Sequence, residues 1–187
     1  VMIEHAVMPS ALGDIVLRVE SDHLTGVFFH DQKHFPLSAR ASLMLARESS
    51  VRVMRQACEE VEEYLAGART CFDLPLAMPG SAFQQRVWQR LEGIDFGEVM
   101  TYGALARALG LSRGHARAVG SAVGRNPISM IVPCHRVVAG SGGLTGYAGG
   151  LARKAHLLAL EGRPEGSVGL GQVKGEHHLA AAIKGLQ

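Results

Sequence analysis

The chain has 187 residues, 47% of them hydrophobic, and a formal net charge of +2, which suits one large domain or two small ones with an ample core. No apolar run reaches the ~18 residues of a membrane span, and no basic stretch leads into an apolar signal core, so the expectation is a cytoplasmic protein with no membrane partner. The three cysteines, Cys58, Cys71 and Cys134, match neither a paired disulfide framework nor a zinc site, which points to a reducing compartment and to no metal.

In chain order, strand-like runs at Ile3 to Val7, Ile15 to Val19 and Leu24 to Phe29 are separated by turn-prone stretches from Pro9-Ser10 to Gly13-Asp14 and at Ser21-Asp22. They predict a hairpin or small antiparallel sheet. Ser50 is expected to cap a helix through Leu65, with Val53, Cys58, Val61, Tyr64 and Leu65 on one side and Gly67 ending it. Cys71 to Leu76 reads as a returning strand, and Ala77 to Gly80 as a linker. The second half is helix-rich. Ser81 caps a helix whose apolar stripe is Phe83, Val87, Trp88 and Leu91, with Trp88 assigned to the core. Thr101 caps a short helix to Leu109, Gly110 breaks it, and a second helix runs from Ser112 to Gly124. Two short helices across a tight glycine turn predict a helix-turn-helix. The fold class is therefore α+β: a small N-terminal domain with an antiparallel sheet (1–78), a mostly helical C-terminal domain (79–164) and a tail (165–187).

The second of these helices has an unusual surface. Arg113, Arg117, Gly120, Ser121 and Gly124 share one face, while Ala116, Val119, Ala122 and Val123 form the packing side. Tiny exposed residues let the helix backbone approach a sugar-phosphate ridge or a narrow groove, which favours binding with little sequence preference. Arg117 could then reach a phosphate or the base stack. Charge agrees with a polyanionic partner. Up to Asp95 there are nine basic and thirteen acidic residues, beyond it ten basic and four acidic, and from Val99 to Leu160 there is no Asp or Glu.

Ile131 to Val138 carries the chemistry. Cys134 sits beside His135 and Arg136 after Pro133, and a thiol with a pKa near ~8.5 needs a base or neighbouring cations to become a thiolate. The flanking branched apolar residues predict a buried strand-like segment, in which adjacent side chains point to opposite faces. Direct proton transfer from Cys134 to His135 is then awkward, and a kinked backbone or a bridging water is required, with a carboxylate holding the second imidazole nitrogen.

Phe83-Gln84-Gln85-Arg86-Val87-Trp88, Tyr102-Gly103, Arg117-Ala118-Val119-Gly120, Asn126-Pro127-Ile128, Pro133-Cys134-His135-Arg136-Val137 and Gly146-Tyr147-Ala148-Gly149-Gly150 stand in one order between Phe83 and Gly162. Over that span the chain resembles the O6-alkylguanine-DNA alkyltransferases, also called methylated-DNA–protein-cysteine methyltransferases. The resemblance implies a single-use reaction in which a flipped O6-alkylguanine gives its alkyl group irreversibly to Cys134. By position, His135 would deprotonate Cys134 through a water, Glu161 would orient the imidazole, Tyr102 would donate to the guanine, and Asn126 would brace the turn after the recognition helix. Arg117 would be the inserted finger. The backbone carbonyls of Cys134 and Val137 would accept from the guanine amino group, Tyr147 and the Ala148 N–H would line the alkyl side, and Lys154 would help close the pocket. Arg136 and Ser121 are placed among the substrate- and DNA-contacting residues.

The resemblance further implies a monomer bound in the minor groove of duplex DNA, without cofactor; cooperativity on DNA and O4-alkylthymine repair stay open. No cysteine-rich regulatory domain is matched, and neither are the N-terminal zinc ligands of some relatives. Beyond Gly162, Gly166 to Gly175 reads as a flexible connector, His178 to Leu186 as a weak helix and His177-His178 as a surface pair. Two other readings remain: a noncatalytic alkylated-base-binding protein, which Cys134 argues against, and a cysteine hydrolase, which would regenerate its thiol.

Overall fold

A computed structural model describes residues 3–36 and 44–162; the tail expectations lie outside these residues. The described residues form two compact units, one drawn from those up to Pro79 together with Pro127–Ile131, the other from Gly80–Asn126 and those from Val132 to Gly162.

The first unit is built on a three-stranded antiparallel sheet of β1 (Ile3–Met8), β2 (Ile15–Glu20) and β3 (His23–Phe29), in that order. The β2–β3 hairpin closes through Ser21 and Asp22, at φ 48° and 60°. Two successive left-handed residues match the right-handed twist of the strands they join. Helix α1 (Arg52–Leu65) buries Val53, Met54, Ala57, Cys58, Val61 and Tyr64. Its start differs from expectation. Val51 is the N-cap, and Ser49, not Ser50, accepts a backbone hydrogen bond, from Val51 N at 3.0 Å. Ser49 is also held by Glu4, its hydroxyl donating at 2.6 Å. Cys71 to Leu76 is not a strand: Leu76 alone makes a bridge, parallel to Leu24. The free edge of β3 is shared with Ile128, which bridges Val27, and neither visitor is long enough to extend the sheet.

The second unit is mostly helical. Helix α2 (Ala82–Glu92) opens with a capping box in which Ser81 Oγ accepts from Gln84 N and Gln84 Oε1 accepts from Ser81 N. Trp88 on α2 is 2% exposed and donates its indole N–H to Ala122 O at 2.9 Å, satisfying the polar end of a core side chain. Truncating it to Ala would cost about 3–5 kcal/mol. Strand β4 (Met100–Thr101) pairs in parallel with β5 (Val137–Val138). Helix α3 (Tyr102–Ala108) follows β4 directly, its N-cap Thr101 accepting from Ala104 N.

Gly110, at φ 74°, turns the chain towards α4 (Ala116–Gly124). The second helix of the pair therefore starts later than Ser112. Arg113–His115 form a 3-10 turn, and Ser112 Oγ lies 2.9 Å from His115 Nδ1, a local contact that competes with helical geometry. Val119, Ala122 and Val123 are the buried face of α4, as expected, while Ala116, assigned to the same side, opens the helix half-buried. Helix α5 (Leu151–Glu161) completes the unit. No described helix is long and apolar enough to cross a membrane.

Candidate active site

The cysteine segment is not extended where it matters. Cys134–Arg136 form a 3-10 turn, with Cys134 N bonded to Val132 O at 2.8 Å and Arg136 N to Pro133 O at 3.0 Å, and the strand begins only at Val137. Pro133 has no N–H to lose from a ladder, so extended pairing stops before the cysteine. This turn replaces the strand expected there and supplies the required kink. Successive side chains are about 120° apart on a 3-10 helix instead of opposed, so His135 and Arg136 can address one partner.

That partner is Glu161, the last residue of α5. His135 Nε2 lies 2.7 Å from Glu161 Oε1, and Arg136 reaches the same carboxylate with Nε to Oε2 at 2.8 Å and Nη2 to Oε1 at 2.9 Å. Gly97 N adds a long bond to Oε2 at 3.4 Å, and Arg136 Nη1 donates to Ile94 O. Burial alone would raise the Glu161 pKa, but the hydrogen bonds and charges of His135 and Arg136 prevail and bring it down to about 2. The carboxylate is therefore ionised and can only accept, so the His135 nitrogen facing it is the protonated one. Burial lowers the His135 pKa, opposed by Glu161 and assisted by the positive charges of Arg136 and Lys154. The imidazole is neutral at pH 7 and available as a base.

Cys134 is buried, and burial raises its thiol pKa; a hydrogen bond from the Asn126 side chain and the charge of Lys154 act the other way. Asn126, just beyond α4, also donates Nδ2–H to Val132 O at 2.8 Å, tying the end of that helix to the segment that enters the cysteine turn. Lys154 is buried on α5, its pKa lowered to about 8 by burial against the pull of Cys134. Its ammonium donates to Val137 O at 2.6 Å and Thr145 O at 2.7 Å, with Gly146 O at 3.5 Å.

Tyr102 opens α3 and donates its hydroxyl to Gly146 O at 3.2 Å and Thr145 O at 3.4 Å. Burial, then the nearby Cys134, raise its pKa, so it remains a proton donor. A Cβ at Gly120 of α4 would stand 3.7 Å from its ring. The structure thus brings together Cys134, His135, Glu161, Asn126, Lys154 and Val137, with Tyr102 on the Thr145–Gly146 carbonyls that Lys154 also holds. Tyr147 is buried and Ala148 half-buried in the adjoining loop, while Arg117 and Ser121 are exposed on α4. Arg136 departs from the expectation of a DNA contact: it is buried, with its fork spent on Glu161. Sequence reasoning missed Ile94, Gly97 and Thr145 and gave Gly146 no role beyond its place in a motif; all four act through backbone atoms that carry no residue-type signal. Among the described residues no group of three or more His, Cys, Asp or Glu could hold a metal ion.

Residues 82–163 match the family described as 6-O-methylguanine DNA methyltransferase, DNA binding domain, and residues 3–78 match its ribonuclease-like domain. A methylated-DNA–protein-cysteine methyltransferase of Mycolicibacterium paratuberculosis is 43% identical over 162 residues, covering 87% of this chain and 94% of that protein. The chain belongs to the methylated-DNA–protein-cysteine methyltransferase family. A constitutive methylated-DNA–protein-cysteine methyltransferase of Bacillus subtilis is 37% identical over 151 residues, covering 80% of this chain and 90% of the relative. Among solved structures, the O6-methylguanine methyltransferase of Mycobacterium tuberculosis aligns with a TM-score of 0.78 at 38% identity, covering 89% of this chain and 97% of that one. A structure of the same organism's protein in complex with DNA aligns with a TM-score of 0.74 at 39% identity, covering 84% and 92%. The matched methyltransferase DNA-binding domain contains every site residue named above.

Proposed function

We propose that this chain repairs DNA by moving the alkyl group of an O6-alkylguanine directly and irreversibly onto Cys134. The observation that carries the reading is the buried Cys134 next in the chain to His135, a neutral imidazole whose Nε2 is fixed on an ionised carboxylate. His135 takes the thiol proton through a water. The thiolate attacks the alkyl carbon, an S–C bond forms as the C–O6 bond breaks, and the bonding pair leaves with O6. Guanine regains one proton, so thiol plus O6-alkylguanine becomes thioether plus guanine. No water cleaves the thioether, and each molecule acts once.

The remaining roles follow from where the donors stand. Tyr102 exchanges its Gly146 and Thr145 carbonyls for the guanine, where its hydroxyl steadies the charge that develops as the base leaves. Asn126 and Lys154 favour the thiolate. The Cys134 and Val137 carbonyls accept from the guanine amino group, and Tyr147 and the Ala148 N–H line the alkyl side. The base reaches the pocket by flipping out of the duplex, with α4 in the minor groove, Arg117 filling the gap and Ser121 against the backbone. The protein works as a cytoplasmic monomer, with residues 1–78 and 79–164 as its domains and 165–187 as a tail.

Cys134→Ala tests the reading. It is expected to bind a duplex containing O6-methylguanine with affinity close to that of the unaltered protein and to transfer nothing. Transfer by the alanine variant contradicts it.

A further inference from the structure

The guanidinium of Arg136 is buried and donates from all three of its nitrogens, yet the reaction as written does not use it. It grips both oxygens of Glu161, at 2.8 and 2.9 Å, donates its third nitrogen to Ile94 O, and lies with its carbon 5.8 Å from the Phe96 ring centroid. Glu161 needs such a partner. It is buried and stands at the C-terminal end of α5, where the unpaired carbonyls of a helix disfavour an anion. The 3-10 turn places His135 and Arg136 side by side on that carboxylate, and both donate to Oε1.

From this geometry we infer that Arg136 is a positioning residue for alkyl transfer: its planar fork fixes the Glu161 carboxylate in the orientation that receives His135 Nε2–H, and its charge offsets that of Glu161 at the imidazole. The inference rests on the proposed role of His135. Two effects are separable. The fork sets geometry, because two parallel N–H groups define the plane of a carboxylate in a way that an ammonium cannot. The positive charge sets basicity. An unshared Glu161 would stabilise the imidazolium, and His135 would be protonated, and lost as a base, at higher pH. The charged groups that act on His135 are Glu161 and Lys154 from α5 and Arg136 from its own turn, with the titratable Cys134 thiol next to it in the chain.

The test is single-turnover alkyl transfer from a duplex containing one O6-methylguanine, measured against pH for the unaltered protein, Arg136→Gln and Arg136→Lys, with duplex affinity measured against salt. Arg136→Gln is expected to move the acid limb of the rate profile up by about one pH unit and to slow transfer about tenfold near neutral pH. Duplex affinity and its salt slope stay as they were, because Arg136 is buried with its fork on Glu161. Arg136→Lys returns the acid limb to its original position but leaves the rate at its plateau several-fold low, since charge is restored and the fork is not.

An unmoved acid limb in a folded Arg136→Gln protein overturns the inference. So does weaker duplex binding with a salt slope reduced by about one, which would make Arg136 a phosphate contact. Should Arg136→Gln fail to fold, Arg136→Lys decides alone: a lowered plateau at unchanged affinity supports the inference, and an unaltered plateau overturns it. An unaltered protein that transfers no alkyl group at any pH removes the functional reading itself, a different failure from an unmoved limb.

Discussion

His135 Nε2 and Glu161 Oε1 are 2.7 Å apart with both side chains buried, although 25 residues separate them in the chain. The pair sets which imidazole nitrogen is protonated. Glu161→Gln removes the anion and leaves Arg136 as an uncompensated buried cation. Transfer is expected to fall by about 10²-fold or more and stability by about 3 kcal/mol, read by single-turnover rates and by thermal melts on the same samples.

Stability should fall in acid in two stages. The folded-state pKa of His135 lies below its ordinary value of 6.5, so below that pH the unfolded chain takes up a proton that the folded chain refuses. His5 adds in the same sense through burial and the charge of Arg18. Glu161, brought from 4.5 down to about 2, contributes about 3 kcal/mol above its unfolded value, and this is lost as pH falls through that interval. Melting temperature against pH checks both stages, with His5→Asn isolating the His135 part.

Asn126→Ala should touch stability and reactivity together. Val132 O loses its donor, at about 1–3 kcal/mol, and Cys134 loses a hydrogen bond that lowers its pKa. The pH midpoint for alkylation of the Cys134 peptide by iodoacetamide moves up. Following that peptide by mass separates it from Cys58, whose own pKa burial and Glu62 push up to about 11, and from exposed Cys71.

Arg117→Ala is expected to leave the fold intact, since the side chain is exposed. If it fills the gap left by a flipped base, transfer from duplex DNA slows about tenfold while transfer from a single strand, with no stack to mend, changes little. Equal slowing on both substrates would instead make Arg117 a phosphate contact.

Much of this molecule was legible in its sequence, and the exceptions have physical causes. Alternating apolar runs gave the three strands, and Ser81 and Thr101 announced helices α2 and α3 because a side-chain oxygen before an apolar stripe has few other uses. Ser50 failed as a cap because Ser49, tied to Glu4 on β1, took the neighbouring role, a tertiary contact that no local pattern reveals. Cys71 to Leu76 had strand-like composition but found only one bridging partner. At the site, Cys134 stood out by its neighbours Pro133, His135 and Arg136, whereas Glu161 came only from the resemblance, because its distance along the chain from His135 carries no local signal. Arg136 was misplaced because an arginine in a basic, acid-free stretch reads as a DNA contact until a distant carboxylate is seen to occupy it.

The most direct test of the central claim is to incubate the protein with a duplex carrying one O6-methylguanine and measure intact and peptide masses. The account predicts one methyl in place of one hydrogen on the peptide containing Cys134, at most one per molecule, matched by guanine restored in the DNA. Restored guanine with an unmodified Cys134, or more than one lesion repaired per protein molecule, would contradict it.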